Sequence, residues 1–360
     1  MECIAVINQK GGVGKTSTAV NLGAGLGQRG KRMLLVDLDP QGHLTTHFGL
    51  DEAAPDRGVY EVLTGSLQLA DAIHTYSPTI DIVPAHVDLA AAETELVSVV
   101  GREVILRDAL RSGNWPYDVV MFDCPPSLGV LSLNAMCAAN RVLIPVQPHF
   151  LALQGTGKLF ETILLVNQRI NALLSVMGIV ICLNDAGTRL SSEVVDDLSA
   201  FLDSHRDSSV PWSEARIFDA RIRRNVKLAE CPSYGQSIFE YAPRSNGATD
   251  YLALADEVLA VLNGHAPPIV RRSESDGEDT AEPVAEVEST DDAVAATAEP
   301  AVEGAADAGD SGSTETAADS TGETHRAAAS DVAITGAADA LAPVRTPPAR
   351  TPPVANRQAS

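Results

Sequence analysis

The chain has 360 residues, 45% of them apolar, and carries 48 Asp/Glu against 26 Lys/Arg for a formal net charge of −22. This length suits one large domain or two ordinary ones, and no apolar run reaches the roughly 18 residues that a membrane-spanning helix needs. Overall charge of this sign does not attract nucleic acid, so any DNA contact has to be made by a local basic patch.

The charge is unevenly spread. Residues 265–360 hold 18 Asp/Glu and 6 Lys/Arg, and every Phe, Tyr and Trp lies at or before Tyr251. A segment of Ala, Glu, Asp, Ser, Thr, Gly and Pro without aromatics cannot bury enough apolar surface to offset its ordering entropy. The sequence therefore divides into an α/β domain, 1–264, and a disordered acidic tail, 265–360. The five cysteines, Cys3, Cys124, Cys137, Cys182 and Cys231, form no C-x-x-C pair. Those in apolar runs read as buried thiols. With no leader-like stretch after Met1, they point to a reducing cytoplasm.

In chain order, Cys3 to Ile7 is a short apolar strand, and a helix-compatible run extends from Ser17 to Gln28. Met33 to Asp37 is a buried strand that ends in carboxylates and is stopped by Pro40. Residues 43–77 mix turn residues with short helical patterns, and 80–84 is a further strand. From Ala90 to Leu110 the periodicity predicts one helix with Leu96, Val99, Val100, Ile105 and Leu106 on buried faces. Apolar runs at 117–123, 141–146 and 176–183 predict three more strands. Helices are expected over 151–173, from a Ser191 cap to about 204, and over 246–262. Apolar strands alternating with helices give a mostly parallel sheet covered by helices on both faces. Ligands in such sheets bind beyond the strand C-termini, where Asp39, Asp123 and the loop after the first strand all fall.

That loop is Lys10-Gly11-Gly12-Val13-Gly14-Lys15-Thr16. Its glycines let successive N–H groups converge on an anion, and the helix that follows adds partial positive charge. Lys15 is placed for the β/γ-phosphates and the Thr16 hydroxyl for Mg²⁺. The standard pattern would put a glycine at Gln9; here a second lysine, Lys10, stands at the entrance instead.

This K-G-G-V-G-K-T form resembles the deviant Walker A motif of the ParA/MinD branch of P-loop ATPases. With the D-x-D-P-Q-G run at Asp37–Gly42, the chain is similar to ParA/Soj-type chromosome or plasmid partition ATPases over residues 1 to about 262. The resemblance implies ATP and Mg²⁺ as cofactors. It assigns phosphate binding to Gly11, Gly12, Val13, Gly14, Lys15, Thr16 and Ser17, and the metal to Thr16, Asp39 and Asp123. Catalysis falls to Lys15, to Asp39 as the group orienting the attacking water, and to Lys10, reaching across a dimer interface to the partner's nucleotide. Asp37 then supports the metal shell or caps the strand end. Asn184, Arg224 and Asn225 are implied near the base.

Three positions depart from the family pattern: His43 stands for Asn, Arg223 for Pro and Cys231 for Ala. The resemblance further implies an ATP-state homodimer, non-specific binding to double-stranded DNA through Arg189, Arg221, Arg224 and Lys227, and a ParB-like DNA-binding partner that stimulates hydrolysis. Arg216 and Arg223 extend the basic cluster. The implied location is the nucleoid. A chain that starts at its first strand leaves no room for an N-terminal helix-turn-helix. Other readings are a MinD-like or orphan positioning ATPase for a division site or protein cluster, and an iron–sulfur reductase using Cys124 and Cys137. A MinD-like protein usually ends in a basic amphipathic helix. Asp250, Asp256 and Glu257 in the last helix oppose that and imply no stable membrane association. The acidic tail is expected to compete with DNA for the basic patch.

Overall fold

A computed structural model describes residues 1–50, 56–148, 152–184, 189–267 and 269. The order is β1 (Glu2–Val6), α1 (Lys15–Gln28), β2 (Met33–Asp37), α2 (His43–His47), α3 (Val59–Thr64), β3 (His74–Ser77), β4 (Ile80–Val83), α4 (Leu89–Glu95), α5 (Ile105–Arg111), β5 (Val119–Asp123), α6 (Val130–Ala138), β6 (Arg141–Val146), α7 (Ala152–Arg169), β7 (Ser175–Asn184), α8 (Arg189–Asp203), β8 (Arg216–Arg223), α9 (Val226–Glu230), α10 (Ile238–Tyr241) and α11 (Asn246–Leu262). Among the described residues these strands form one sheet in the order β3-β4-β2-β5-β1-β6-β7-β8. The β3–β4 pair is antiparallel and the other pairs are parallel.

The central strands are apolar runs because both faces of the sheet are covered. Alternate residues of β1 serve opposite sides. Cys3 and Ala5 join one core with Leu131, Leu159 and Leu198. Ile4 and Val6 join the other with Leu22 of α1 and Tyr251, Leu254 and Val258 of α11. The parallel order brings the C-terminal ends of β2, β5 and β1 side by side, with Asp37 opposite Asp123 and Asp123 opposite Val6.

The structure departs from the sequence reading in four places. Residues 90–110 are not one helix: α4 runs into a 3-10 turn (Leu96–Ser98), the chain extends at Val99, and Gly101 turns it with φ 77° before α5. Leu96 and Leu106 are buried as expected, whereas Val99 is 41% and Val100 fully exposed. Ser191 lies inside α8, which starts at Arg189. β3 and β8 were not anticipated. β3 is four residues long, and β8, Arg-Ile-Phe-Asp-Ala-Arg-Ile-Arg, alternates charged and apolar residues, as an edge strand does.

The acids of α11 all have partners. Asp256 forms a bidentate pair with Arg29, and Asp250 does so with Arg223. The Glu257 carboxylate accepts the backbone N–H groups of Asp219 and Ala220 on β8. All five thiols are buried and free. The expected tail lies, apart from residues 265–267 and 269, outside the described residues.

Candidate nucleotide site

Asn8 shapes the loop that leaves β1. Its side-chain amide donates to the Pro145 carbonyl of β6 (2.7 Å) and its Oδ1 accepts the Lys10 N–H (3.0 Å). Gly12 and Gly14 adopt φ of 73° and 93°, where a side chain costs roughly 1–2 kcal/mol per residue. Nothing lies within 4 Å of where a Cβ would sit on Gly11 or Gly12, so the concave side of the loop is open. Lys15, only 6% exposed, folds back across it and donates to the Lys10 carbonyl (3.1 Å). Burial pushes the Lys15 pKa down, opposed by Asp123 and Asp39. Val13 is buried, Thr16 and Ser17 are half-buried, and Lys10 is exposed.

Asp123, at the end of β5, and Asp39, in the loop after β2, act on this lysine, and Asp37 at the end of β2 lies in register with Asp123. Asp123 is fully buried, and neither of its oxygens makes a hydrogen bond of full geometry among the described residues, although the Thr16 hydroxyl is a near donor that pulls its pKa down. Its pKa is raised well above the carboxylate range by burial and then by Asp37; the Thr16 hydroxyl and Lys15 oppose the rise. A buried carboxylate without full hydrogen bonds is costly unless a cation satisfies it. Mg²⁺ commonly takes one or two protein carboxylates and completes its shell with phosphate and water. Asp123 beside Thr16 fits that donor set. No cluster of three His, Cys, Asp or Glu suited to a metal exists among the described residues.

Asp37 is also fully buried, with its pKa raised to about 6, chiefly by burial. Its Oδ1 accepts the Asp39 N–H (3.1 Å), and its Oδ2 accepts both the N–H (2.9 Å) and the hydroxyl (2.8 Å) of Thr45. Asp37 therefore ties the strand end to α2. Asp39 is 8% exposed; its Oδ1 accepts the Gln41 N–H (3.0 Å) and its carbonyl accepts the Gly42 N–H (2.8 Å). His43 is the exposed first residue of α2 rather than part of a loop.

β7 flanks the loop, with the Cys182 Cβ 3.5 Å from where a Gly14 Cβ would sit. Asn184 ends β7, half-buried and in register with Arg223 of β8. Asn225 caps α9, its Oδ1 accepting the Lys227 N–H (2.9 Å), a contact worth about 1 kcal/mol.

The basic residues do not form one patch. Arg216 starts β8, at the opposite end of the strand from Arg223 and beside a cavity of about 720 Å³ that Arg141 and Ser175 also line. Arg221 is half-buried and donates to the Phe218 carbonyl. Arg223 is held by Asp250. Lys227 pairs with Glu230 (2.8 Å) and lies 5.6 Å from the Tyr241 ring centroid. Arg224 is exposed on the same segment. The Arg189 side chain and residues 185–188 lie outside the described residues.

The sequence reading missed Asn8 and Thr45. Both are buried polar residues; Asn8 directly follows the apolar run of β1, a signal that could have flagged it, whereas Thr45 lies inside the short helix α2 with no such local signal.

A family model described as an AAA domain matches residues 1–176. The chain is 43% identical over 258 residues to the sporulation initiation inhibitor protein Soj of Bacillus subtilis, a match covering 71% of this chain and 98% of Soj. It is 40% identical over 263 residues to the chromosome partitioning protein ParA of Caulobacter vibrioides, covering 72% and 94%. A solved Mycobacterium smegmatis structure described as cobyrinic acid a,c-diamide synthase with bound ATP analogue and magnesium superimposes with a TM-score of 0.62 at 35% identity, covering 75% of this chain and all of that one. The glycine-rich loop and the buried Asp123 near it thus sit in a chain that aligns with nearly the full length of two partition proteins: it belongs to the Soj/ParA family of chromosome-partitioning ATPases.

Proposed function

We propose that this protein is a Mg²⁺-dependent ATPase that dimerises around ATP, grips DNA without sequence preference, and lets go when ATP is hydrolysed. The observation that carries the reading is Asp123, a fully buried carboxylate with no hydrogen bond of full geometry among the described residues, close to Thr16, Lys15 and Asp39 at the mouth of the loop.

In this reading the backbone N–H groups of Gly11 to Ser17 cradle the phosphates, and Lys15 leaves the Lys10 carbonyl to meet the β/γ-phosphates. Thr16 and Asp123, with Asp39 close by, would hold Mg²⁺, which would supply charge neutralisation at the triphosphate. Asp39 orients the attacking water and accepts a proton from it as the water oxygen bonds to the γ-phosphorus and the bond from that phosphorus to the β–γ bridging oxygen breaks, releasing ADP and phosphate. Asn184, Arg224 and Asn225 lie toward the base. Lys10, exposed at the loop entrance, reaches the nucleotide of a second copy, so ATP is part of the dimer contact and its loss weakens the dimer.

The same reading makes residues 1–264 the ATPase domain and 265–360 an acidic appendage. The DNA surface is Arg224 and Lys227 with Arg189 and Arg221, completed by dimerisation, and a ParB-like protein stimulates hydrolysis. Likeness to Soj and ParA supports a cytoplasmic, nucleoid-associated partition role. No helix among the described residues is long and apolar enough to cross a membrane, and the acids of α11 leave it no basic face for stable membrane association.

Sizing chromatography with Mg·ATP tests the reading. The native chain is expected to elute as a dimer with ATP and a monomer without. Lys10→Ala is expected to bind nucleotide and stay monomeric. An unchanged Lys10→Ala dimer peak would refute the shared-nucleotide interface.

A further inference from the structure

Asp39 lies in a loop, and orienting a water requires that its backbone be held. Its own side chain does not provide this, because Oδ1 is turned back onto the Gln41 N–H. The hold comes from a chain of buried hydrogen bonds that ends outside the loop. Asp37 Oδ1 takes the Asp39 N–H, and Asp37 Oδ2 takes the Thr45 N–H and hydroxyl. The same Thr45 oxygen accepts the Ala85 N–H (2.9 Å), just beyond the end of β4. One hydroxyl thus donates and accepts at once, anchoring the loop's far end to the sheet while Asp37 anchors its near end. Gly42, with φ 61°, makes the tight return between them, and a Cβ there would sit 3.3 Å from the Ala85 carbonyl.

We propose that Thr45 is a positioning residue for hydrolysis: clasped between Asp37 and Ala85, it fixes Asp39 relative to the phosphate loop. The inference rests on the proposed ATPase reading. Thr45 is 1% exposed and Asp37 fully buried, so Thr45 has no access to substrate and acts only through Asp39. Buried polar groups that are fully bonded give rigidity and a unique geometry. A misplacement of about 1 Å at a reacting group can cost about 10²-fold in rate.

The test is single-turnover hydrolysis of Mg·ATP by the full chain, with Mg·ATP affinity measured in parallel. Thr45→Val keeps the backbone bond to Asp37 but removes the hydroxyl. It is expected to slow hydrolysis by about tenfold or more with affinity little changed, and Thr45→Ser to restore the rate. In an Asp39→Ala background Thr45→Val is expected to have no further effect, since the group it positions is gone. Should the valine variant not fold, Thr45→Ala removes the same hydroxyl without setting a methyl against Ala85 and gives the same comparison. The inference is overturned if hydrolysis is unaffected by removal of the hydroxyl, if serine fails to rescue, or if the slowing is equal with and without Asp39. Failure of the native chain to hydrolyse Mg·ATP would instead overturn the ATPase reading itself.

Discussion

The two halves of the strand-end face are built in opposite ways. On the side of the glycine-rich loop, over β1, β2 and β5, charged groups are buried and one carboxylate, Asp123, makes no hydrogen bond of full geometry among the described residues. On the side of β8 and α9, cations sit at or near the surface and have acids beside them, Arg223 with Asp250 and Lys227 with Glu230. The first half gathers Asp37, Asp39, Asp123 and the buried Lys15 around the glycine-rich loop. The second is locally neutralised, so a polyanion has to displace carboxylates to be bound. In the proposed reading nucleotide recognition is therefore pre-organised, whereas DNA would have to compete with the protein's own acids.

The largest expected effect lies on the pre-organised side. Asp39→Ala should lower single-turnover ATP hydrolysis by about 10²–10⁴-fold while Mg·ATP binding persists, and an unchanged rate would remove Asp39 from the chemistry. A second test falls where the halves meet. His47, on α2, makes a 2.9 Å contact with the Gln236 carbonyl, and burial lowers its pKa from 6.5 to about 4, with Glu240 the nearby acid that opposes this. A histidine held neutral in the fold contributes stability that is complete above the unfolded pKa and lost as pH falls from 6.5 toward 4. By linkage the loss is at most about 3 kcal/mol. Denaturant melts of the nucleotide-free protein at pH 7 and pH 4.5 should show a smaller pH difference for His47→Gln than for the native chain. Equal differences would mean that His47 titrates normally.

Smaller effects are expected on the neutralised side. Arg224→Ala with Lys227→Ala should weaken binding to random-sequence DNA about tenfold and reduce the salt slope by about two, leaving the ATP-dependent dimer intact. Glu230→Gln should tighten DNA binding by about two- to threefold at low salt by releasing Lys227. If Glu230→Gln has no effect, the ion pair does not compete with DNA and the contrast between the halves weakens.

The same contrast explains what could be read from sequence. Strand ends, Gly-rich loop and strand-end carboxylates were legible because they are local in sequence: an apolar run of four residues followed by Asp, or glycines before a lysine. The Asp37–Thr45–Ala85 clasp joins residues 8 and 40 positions apart, and no local pattern reveals it. β8 was missed because its alternating Arg, Asp and Arg hide the apolar residues Phe218 and Ile222 that it buries. The basic cluster looked continuous in sequence, but an extended strand of eight residues spans about 25 Å, which separates Arg216 from Arg223. Val99 and Val100 were assigned to buried faces by assuming one helix through Gly101, where the chain turns instead.

The capped margin of the sheet bears on how this molecule assembles. β8 is an edge strand, and exposed edges invite strand-to-strand addition that grows without control. Here Glu257 occupies the N–H groups of Asp219 and Ala220, and Asp250 occupies that of Arg223. At the opposite margin the β3–β4 pairing slips between Thr75 and Ser77. With both margins blunted, uncontrolled growth through backbone pairing is suppressed, which leaves the loop face for the proposed ATP-dependent dimer. A contact of that kind would be switched on and off by its nucleotide; a growing ribbon of strands could not be.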